Sequence, residues 1–340
     1  MSQGRPRGRR NRFDARLLIL TLATGLAATA LWGPELPIPS VVYRHLVVFD
    51  ITQSMNIADA TPDENAPTRL EHAKASALDA AAELPCGSEL GLGLFTGHRT
   101  FLLLAPIEVC ANYGDLSKTI QSVDWRMAWV ARSEIAKGVH SSLEVTKALG
   151  PRTTLVFLTD GHEAPPLHSE LQPRFQGERG ETSGVLAGVG GLSPARIPKL
   201  DPQGKNLGYW GAEDVMQVDA FTMGRDTSVA EGYADIEDTD VQARIASGTE
   251  HFSALREEHL RSLARGLRLL YRRVVTTEDL SAVLRHADFA IERTSPTSLR
   301  PPLAGAAALL LAGGYLMPAR RRRRPAGAAG VGAGRFALLR

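Results

Sequence analysis

Two short segments of this chain are apolar, threonines aside, and then end in aspartate: LVVFD, closing at Asp50, and TTLVFLTD, closing at Asp160. A strand with one wet face alternates apolar and polar residues, whereas a run that is apolar throughout is buried on both faces. Two such strands require helices above and below one sheet. The spacing predicts strands over 41–49, 89–95, 100–107, 153–159 and 182–189, and helices over 69–84, 112–123, 134–149, 250–272 and 276–285. Thr68 is placed to cap the first of these helices. The strands at 89–95 and 100–107 form a hairpin around Thr96-Gly97-His98-Arg99. This order predicts an α/β fold, a doubly wound and mostly parallel sheet. In such sheets ligands collect beyond the carboxyl ends of the strands, where Asp50 and Asp160 both stand.

The formal net charge of +2 hides a strong asymmetry. Residues 1–16 carry six arginines and one acid, and residues 320–340 carry seven arginines and no acid. Setting these aside leaves 26 basic and 36 acidic residues in the middle. An acidic folded region excludes the usual electrostatics of nucleic-acid binding. The ends read as membrane topology. Residues 17–34 (LLILTLATGLAATALWGP) and 301–319 (PPLAGAAALLLAGGYLMPA) are uncharged and near the minimum length of a spanning helix. Arginines before the first and after the second put both termini in the cytoplasm and the region between them in the periplasm. The expected organisation is a basic cytoplasmic N-terminus (1–16), a transmembrane helix or signal anchor (17–34) and a periplasmic domain (40–285) with insertions at 190–248. A second transmembrane helix (301–319) and a basic, disordered cytoplasmic tail (320–340) complete it. Ala28-Thr29-Ala30 also fits a cleavage site, which would make the first span a removable signal.

Cys86 and Cys110 flank the hairpin at its open end, which places them within disulfide reach in an oxidising compartment. Two buried thiols are the alternative. No histidine or cysteine cluster has zinc-ligand spacing. His45, His98, His162 and His168 read as surface or turn residues, and Asp59, Asp63 and Glu64 as a solvated loop close enough to shape the rim of a site at Asp50. Trp125 and Trp129 read first as core and second as a contact surface. No nucleophile–base pair or phosphate loop stands out.

Asp50, Thr52 and Ser54 occupy alternate positions of a loop opening from a strand end, so their side chains can converge. With Asp160 they make an all-oxygen set, suited to a hard divalent cation. The same spacing also fits an Asx turn that satisfies backbone N–H groups without any ion. The runs VFDITQSM, PTRLEHAKA and LVFLTDG resemble the von Willebrand factor type A (VWA) domain, over about residues 40–285. GVGGLSPARIPKLDPQGKNLGYW resembles the segment after the late strand in bacterial membrane-anchored members. The resemblance implies a Rossmann-like fold and a metal-ion-dependent adhesion site. Asp50, Ser54 and Asp160 match the family's motif as they stand, Thr52 replaces a serine, and Ser133 falls at the second-loop hydroxyl position. It implies Mg²⁺, with Mn²⁺ or Ca²⁺ as alternatives, and an open metal position that accepts a partner protein's carboxylate. The implied protein is a binding module, not an enzyme. DITQSMN and the two-span layout are similar to proteins of methanol dehydrogenase maturation clusters. That implies a role at the inner membrane in assembly of, or calcium insertion into, a periplasmic methanol dehydrogenase. An envelope factor working with a MoxR-type AAA+ ATPase is one alternative, and a metal-dependent hydrolase is another.

Overall fold

β2 (Arg44–Asp50) and β5 (Thr154–Thr159) lie side by side at the centre of a six-stranded sheet. The computed structural model describes residues 13–63, 65–165, 173–211, 214 and 251–316. The sheet runs in the order β11 (Leu270–Val274), β6 (Gly184–Val189), β5, β2, β3 (Glu89–Thr96), β4 (Arg99–Glu108). Every neighbouring pair is parallel except the β3–β4 hairpin. The fold is thus mixed α/β around a mostly parallel sheet.

The two central strands divide their side chains between two cores, as a period of two requires. Val47, Phe49, Val156 and Leu158 face one layer, made by α2 (Arg69–Glu83), α3 (Tyr113–Ser122) and α6 (Thr277–Leu284). Leu46, Val48, Leu155 and Phe157 face the other, made by α4 (Ile135–Ala148) and α5 (Glu257–Leu267). Gly138 lets α4 lie flat on the sheet, since a Cβ there would fall 2.0 Å from the Phe95 ring.

The helix expected over 250–272 is much shorter. α5 ends at Leu267, Arg268 turns left-handed (φ 59°), and Leu270–Val274 becomes the sheet's edge strand β11. Pairing along β6 buries Val274 beside Val189. His45 and His162, expected at the surface or in turns, are buried, and His45 lies wholly inside β2. His98 is exposed, and His168 lies outside the described residues. Within 190–248, β7 (Ala195–Arg196) pairs with β10 (Phe252–Ser253), and β8 (Pro198–Leu200) pairs with β9 (Asn206–Tyr209). Residues 212–213 and 215–250 lie outside the described residues. A disulfide joins Cys86 and Cys110 across the open end of the hairpin, with 5.3 Å between Cα atoms.

The chain divides into Pro39–Arg293 and a second unit, Met1–Ile38 with Thr294–Arg340. In the second unit α1 (Phe13–Trp32) packs along α7 (Arg300–Leu316). β1 (Glu35–Val42) and β12 (Ile291–Ser298) pair as a two-stranded ribbon. Among the described residues no helix is long and apolar enough to cross a membrane. The apolar part of α1 runs only from Leu17 to Trp32, because Gly33 takes φ +67° and Pro34 follows. That is about 24 Å of helix against a hydrocarbon core of about 30 Å. α7 is described to Leu316, so the end of the expected second span and the tail at 320–340 lie outside the described residues. So does most of the basic N-terminus at 1–16.

Candidate metal centre

Asp50 ends β2, and the Ile51 N–H still bonds the Phe95 carbonyl at 3.1 Å, so Asp50 is held at the carboxyl end of the sheet. Beyond it the chain turns tightly over Gln53–Asn56. The Thr52 N–H (2.9 Å) and hydroxyl (2.7 Å) both donate to Asp50 Oδ1. That is an Asx turn, as the metal-free alternative requires. It engages only one oxygen, however. Asp50 Oδ2 accepts from the Thr159 hydroxyl at 2.6 Å, a donor from the neighbouring strand. Thr159 in turn accepts the Gly161 N–H at 2.9 Å. Gly161 takes φ +74°, with the Leu260 side chain where a Cβ would sit, so a glycine is needed there.

Asp160 repeats the pattern one strand over. The His162 N–H donates to its Oδ1 at 2.9 Å, the Ser253 hydroxyl donates to its Oδ2 at 2.9 Å, and the Ser54 hydroxyl is near enough to favour its ionised form. Ser54 Oγ lies 3.4 Å from Thr52 Oγ1. Asp50, Thr52, Ser54 and Asp160 therefore form one buried cluster, with the first three linked by hydrogen bonds. Ser133 is tied by its backbone to Gly97 and Ala164, in the segments that follow β3 and β5. Its N–H and C=O bond Ala164 at 2.8 and 2.7 Å, and the next residue's N–H bonds the Gly97 carbonyl at 2.7 Å. Ser133 is 2% exposed, and its hydroxyl has no hydrogen-bond partner among the described residues. A buried, unsatisfied hydroxyl costs stability unless something else takes up its oxygen.

The two carboxyls shift in opposite directions although burial acts on both alike. Burial, then the nearby Asp160 charge, raises the Asp50 pKa, against hydrogen bonds from Thr159 and Thr52. Burial also pushes Asp160 up, but the Arg69 guanidinium, His162 and the Ser54 hydroxyl more than offset it, and Asp160 stays ionised. Arg69 has a fully buried side chain and lies 2.5 Å from Asp160 through Nη1. Its Nε and Nη2 take both oxygens of Asp59 at 2.7 Å, and Nη1 also donates to Ser253 Oγ at 2.7 Å. Asp59 is therefore an ion-pair partner and not a solvated loop residue. Asp63 is exposed, and Glu64 lies outside the described residues. Sequence reasoning missed Thr159, Arg69 and Ser253 in this arrangement, and placed Asp59 only at its rim.

The residues fit a hard divalent ion. Every free donor is oxygen, one lone pair of Asp50 Oδ2 is uncommitted, and the Ser133 hydroxyl is orphaned. Cys86, Glu108 and Cys110 also lie together, but both sulfurs are in the disulfide and Glu108 accepts the Gly87 and Ala111 N–H groups. Trp125 packs against the core, whereas Trp129 is 54% exposed, edge-on to Phe101.

No family model matches this chain, and no curated protein matches it. The solved structures that resemble it include the following three. An aerotolerance-related membrane protein from Bacteroides fragilis is 14% identical, with a TM-score of 0.43, covering 71% of this chain and 96% of that one. A von Willebrand factor type A protein from Catenulispora acidiphila is 11% identical (TM-score 0.40), covering 80% of this chain and 44% of that one. The PilB minor pilin from Streptococcus sanguinis is 14% identical (TM-score 0.37), with 73% and 61% covered. Likenesses this distant carry no functional weight, and the fold stands on the sheet order itself.

Proposed function

We propose that this chain is a membrane-anchored, Mg²⁺-dependent protein-binding module of the VWA kind, and not an enzyme. One observation carries the reading: Asp50, Thr52, Ser54 and Asp160 are joined at adjoining strand ends while the buried Ser133 hydroxyl lacks a partner. Asp50, Thr52, Ser54, Ser133 and Asp160 would hold the ion, with Mn²⁺ or Ca²⁺ as substitutes of the same oxygen preference. The bound ion supplies a Lewis-acidic position for a carboxylate from a partner protein. The chain's own residues prepare that position: Thr159 fixes Asp50, and Arg69 with Ser253 fixes Asp160. Against the hydrolase reading, Glu163, the carboxylate bonded to His259, already accepts the Ile135 and Ala136 N–H groups at the start of α4.

The membrane reading is supported by α1 and α7 together. Leu17, Leu18, Leu20, Leu22 and Leu31 of α1 are exposed, as are Leu309, Leu311 and Leu316 of α7. A helix apolar all round belongs in a protein core or in lipid. The arginine groups then orient the inner-membrane anchor, with the main domain in the periplasm and both termini in the cytoplasm. The finer reading, assembly or calcium insertion of a periplasmic methanol dehydrogenase, rests on DITQSMN and the two apolar runs. A neighbouring gene for a quinoprotein dehydrogenase favours it; a MoxR-type ATPase gene alone favours the broader envelope factor. Titration calorimetry of the purified full-length chain with MgCl₂ tests the metal site. Wild type should give a saturable binding heat that Asp50→Ala abolishes. No heat from wild type, or full heat from the variant, refutes the reading.

A further inference from the structure

Arg69 is the largest fully buried side chain among the described residues, and it is a cation set directly against one carboxylate of the proposed metal centre. It is the first residue of α2, and its fork is divided between two acids. Asp59 takes Nε and Nη2 at 2.7 Å each; Asp160 takes Nη1. Ser253 closes the ring, accepting from Nη1 through its hydroxyl and from Nη2 through its carbonyl. Gly190 (φ +126°) keeps the space, since a Cβ there would fall 2.6 Å from Nε. Two carboxylates, the buried Asp160 and the part-exposed Asp59, thus meet one fixed positive charge.

We propose that Arg69 is a resident counter-ion of this centre. It compensates Asp160 when no divalent ion is bound, which keeps the empty site folded, and its charge opposes the ion that enters. The proposal rests on the metal reading above. It has a distinctive consequence, because two measurable quantities move in opposite directions. A residue that only builds the site loses both stability and metal affinity when it is removed. A counter-ion loses metal-free stability, because a buried carboxylate is left unpaired, and gains metal affinity, because a like charge is withdrawn. Arginine suits this task because it stays ionised when buried and can hold two carboxylates in fixed geometry.

The test uses the purified full-length chain, with thermal unfolding in EDTA and Mg²⁺ titration read separately. Arg69→Met should unfold at lower temperature without metal and bind Mg²⁺ at least about tenfold more tightly than wild type. Arg69→Lys, which keeps the charge, should stay within about threefold of wild-type affinity. Unchanged or weaker binding by Arg69→Met overturns the proposal. Should Arg69→Met fail to fold, Asp59→Asn decides. It leaves the whole guanidinium charge to Asp160 and should weaken Mg²⁺ binding by about threefold or more, so unchanged or tighter binding overturns the proposal. If wild type binds nothing but Arg69→Met does, the counter-ion stands and the metal reading of the native chain falls. If neither binds, both fall.

Discussion

Replacing Cys86 and Cys110 together by serine removes the bond at the open end of the β3–β4 hairpin. The bridged residues are 24 apart in sequence. Closing a loop of about 25 residues stabilises a fold by about 3.5 kcal/mol on chain entropy. The native geometry at this end survives the loss, because other bonds hold it. Glu108 accepts the Gly87 and Ala111 N–H groups, and the Val109 N–H bonds the Ser88 carbonyl at 2.9 Å. The cost therefore falls on the unfolded chain's freedom and not on folded contacts. Pro39–Arg293 has an unfolding entropy of about 0.5 kcal/mol/K, so the melting temperature should fall by about 7 °C. Scanning calorimetry of the double variant beside wild type measures this. The metal centre lies at the other end of the strands: β3 begins at Glu89, opposite Arg44, and Asp50 pairs with Phe95. That separation is about 20 Å, so the Mg²⁺ heat should persist. A melting temperature within about 1 °C of wild type, or loss of Mg²⁺ binding, would refute the reasoning.

His45 is wholly buried, its Nε2 2.9 Å from the Leu284 carbonyl, and burial, partly offset by that bond, lowers its pKa from 6.5 to about 4. A depressed folded pKa gives stability that is complete above pH 6.5 and is lost as pH falls towards 4, to a total of about 3 kcal/mol. His45→Leu should flatten this part of the pH profile, measured by urea unfolding at pH 7 and pH 4.5; equal slopes in both proteins would sink the assignment. For the membrane reading, a reporter active only after export should work when fused after residue 290 and fail when fused after residue 340. Activity at 340 contradicts the second span.

The central strands were readable because burial on both faces leaves no polar position to hide them, and LVVFD and TLVFLT became β2 and β5 as expected. β11 was not. Leu260, Leu263, Leu267 and Leu270 continue a helical spacing straight across the break, so periodicity alone extends α5 through the strand. The break is made by Arg268 in a left-handed conformation that non-glycine residues rarely take, and no residue type announces it. His45 shows the same limit at a single position. A polar ring inside an apolar strand reads as a boundary until the Leu284 carbonyl arrives from α6 to meet it.

The same contrast runs through the metal centre. Asp50, Thr52 and Ser54 are two residues apart, so local geometry brings them together and their spacing exposes them. Arg69, Asp160 and Ser253 are joined across 91 and 184 residues, and only the finished fold makes them neighbours. One local sign was present all the same. Thr68 and Glu71 form a capping box that fixes the start of α2 and puts Arg69 in its first turn, where the helix dipole disfavours a positive charge. A cation at that position, in PTRLE, is locally inconsistent unless acids elsewhere in the fold offset it. Asp59 lies ten residues before it in the loop that was read as solvated, and the aspartate that completes the arrangement had already been singled out as a metal ligand. A charge that its own helix opposes must be held by tertiary structure, and here what holds it is the site.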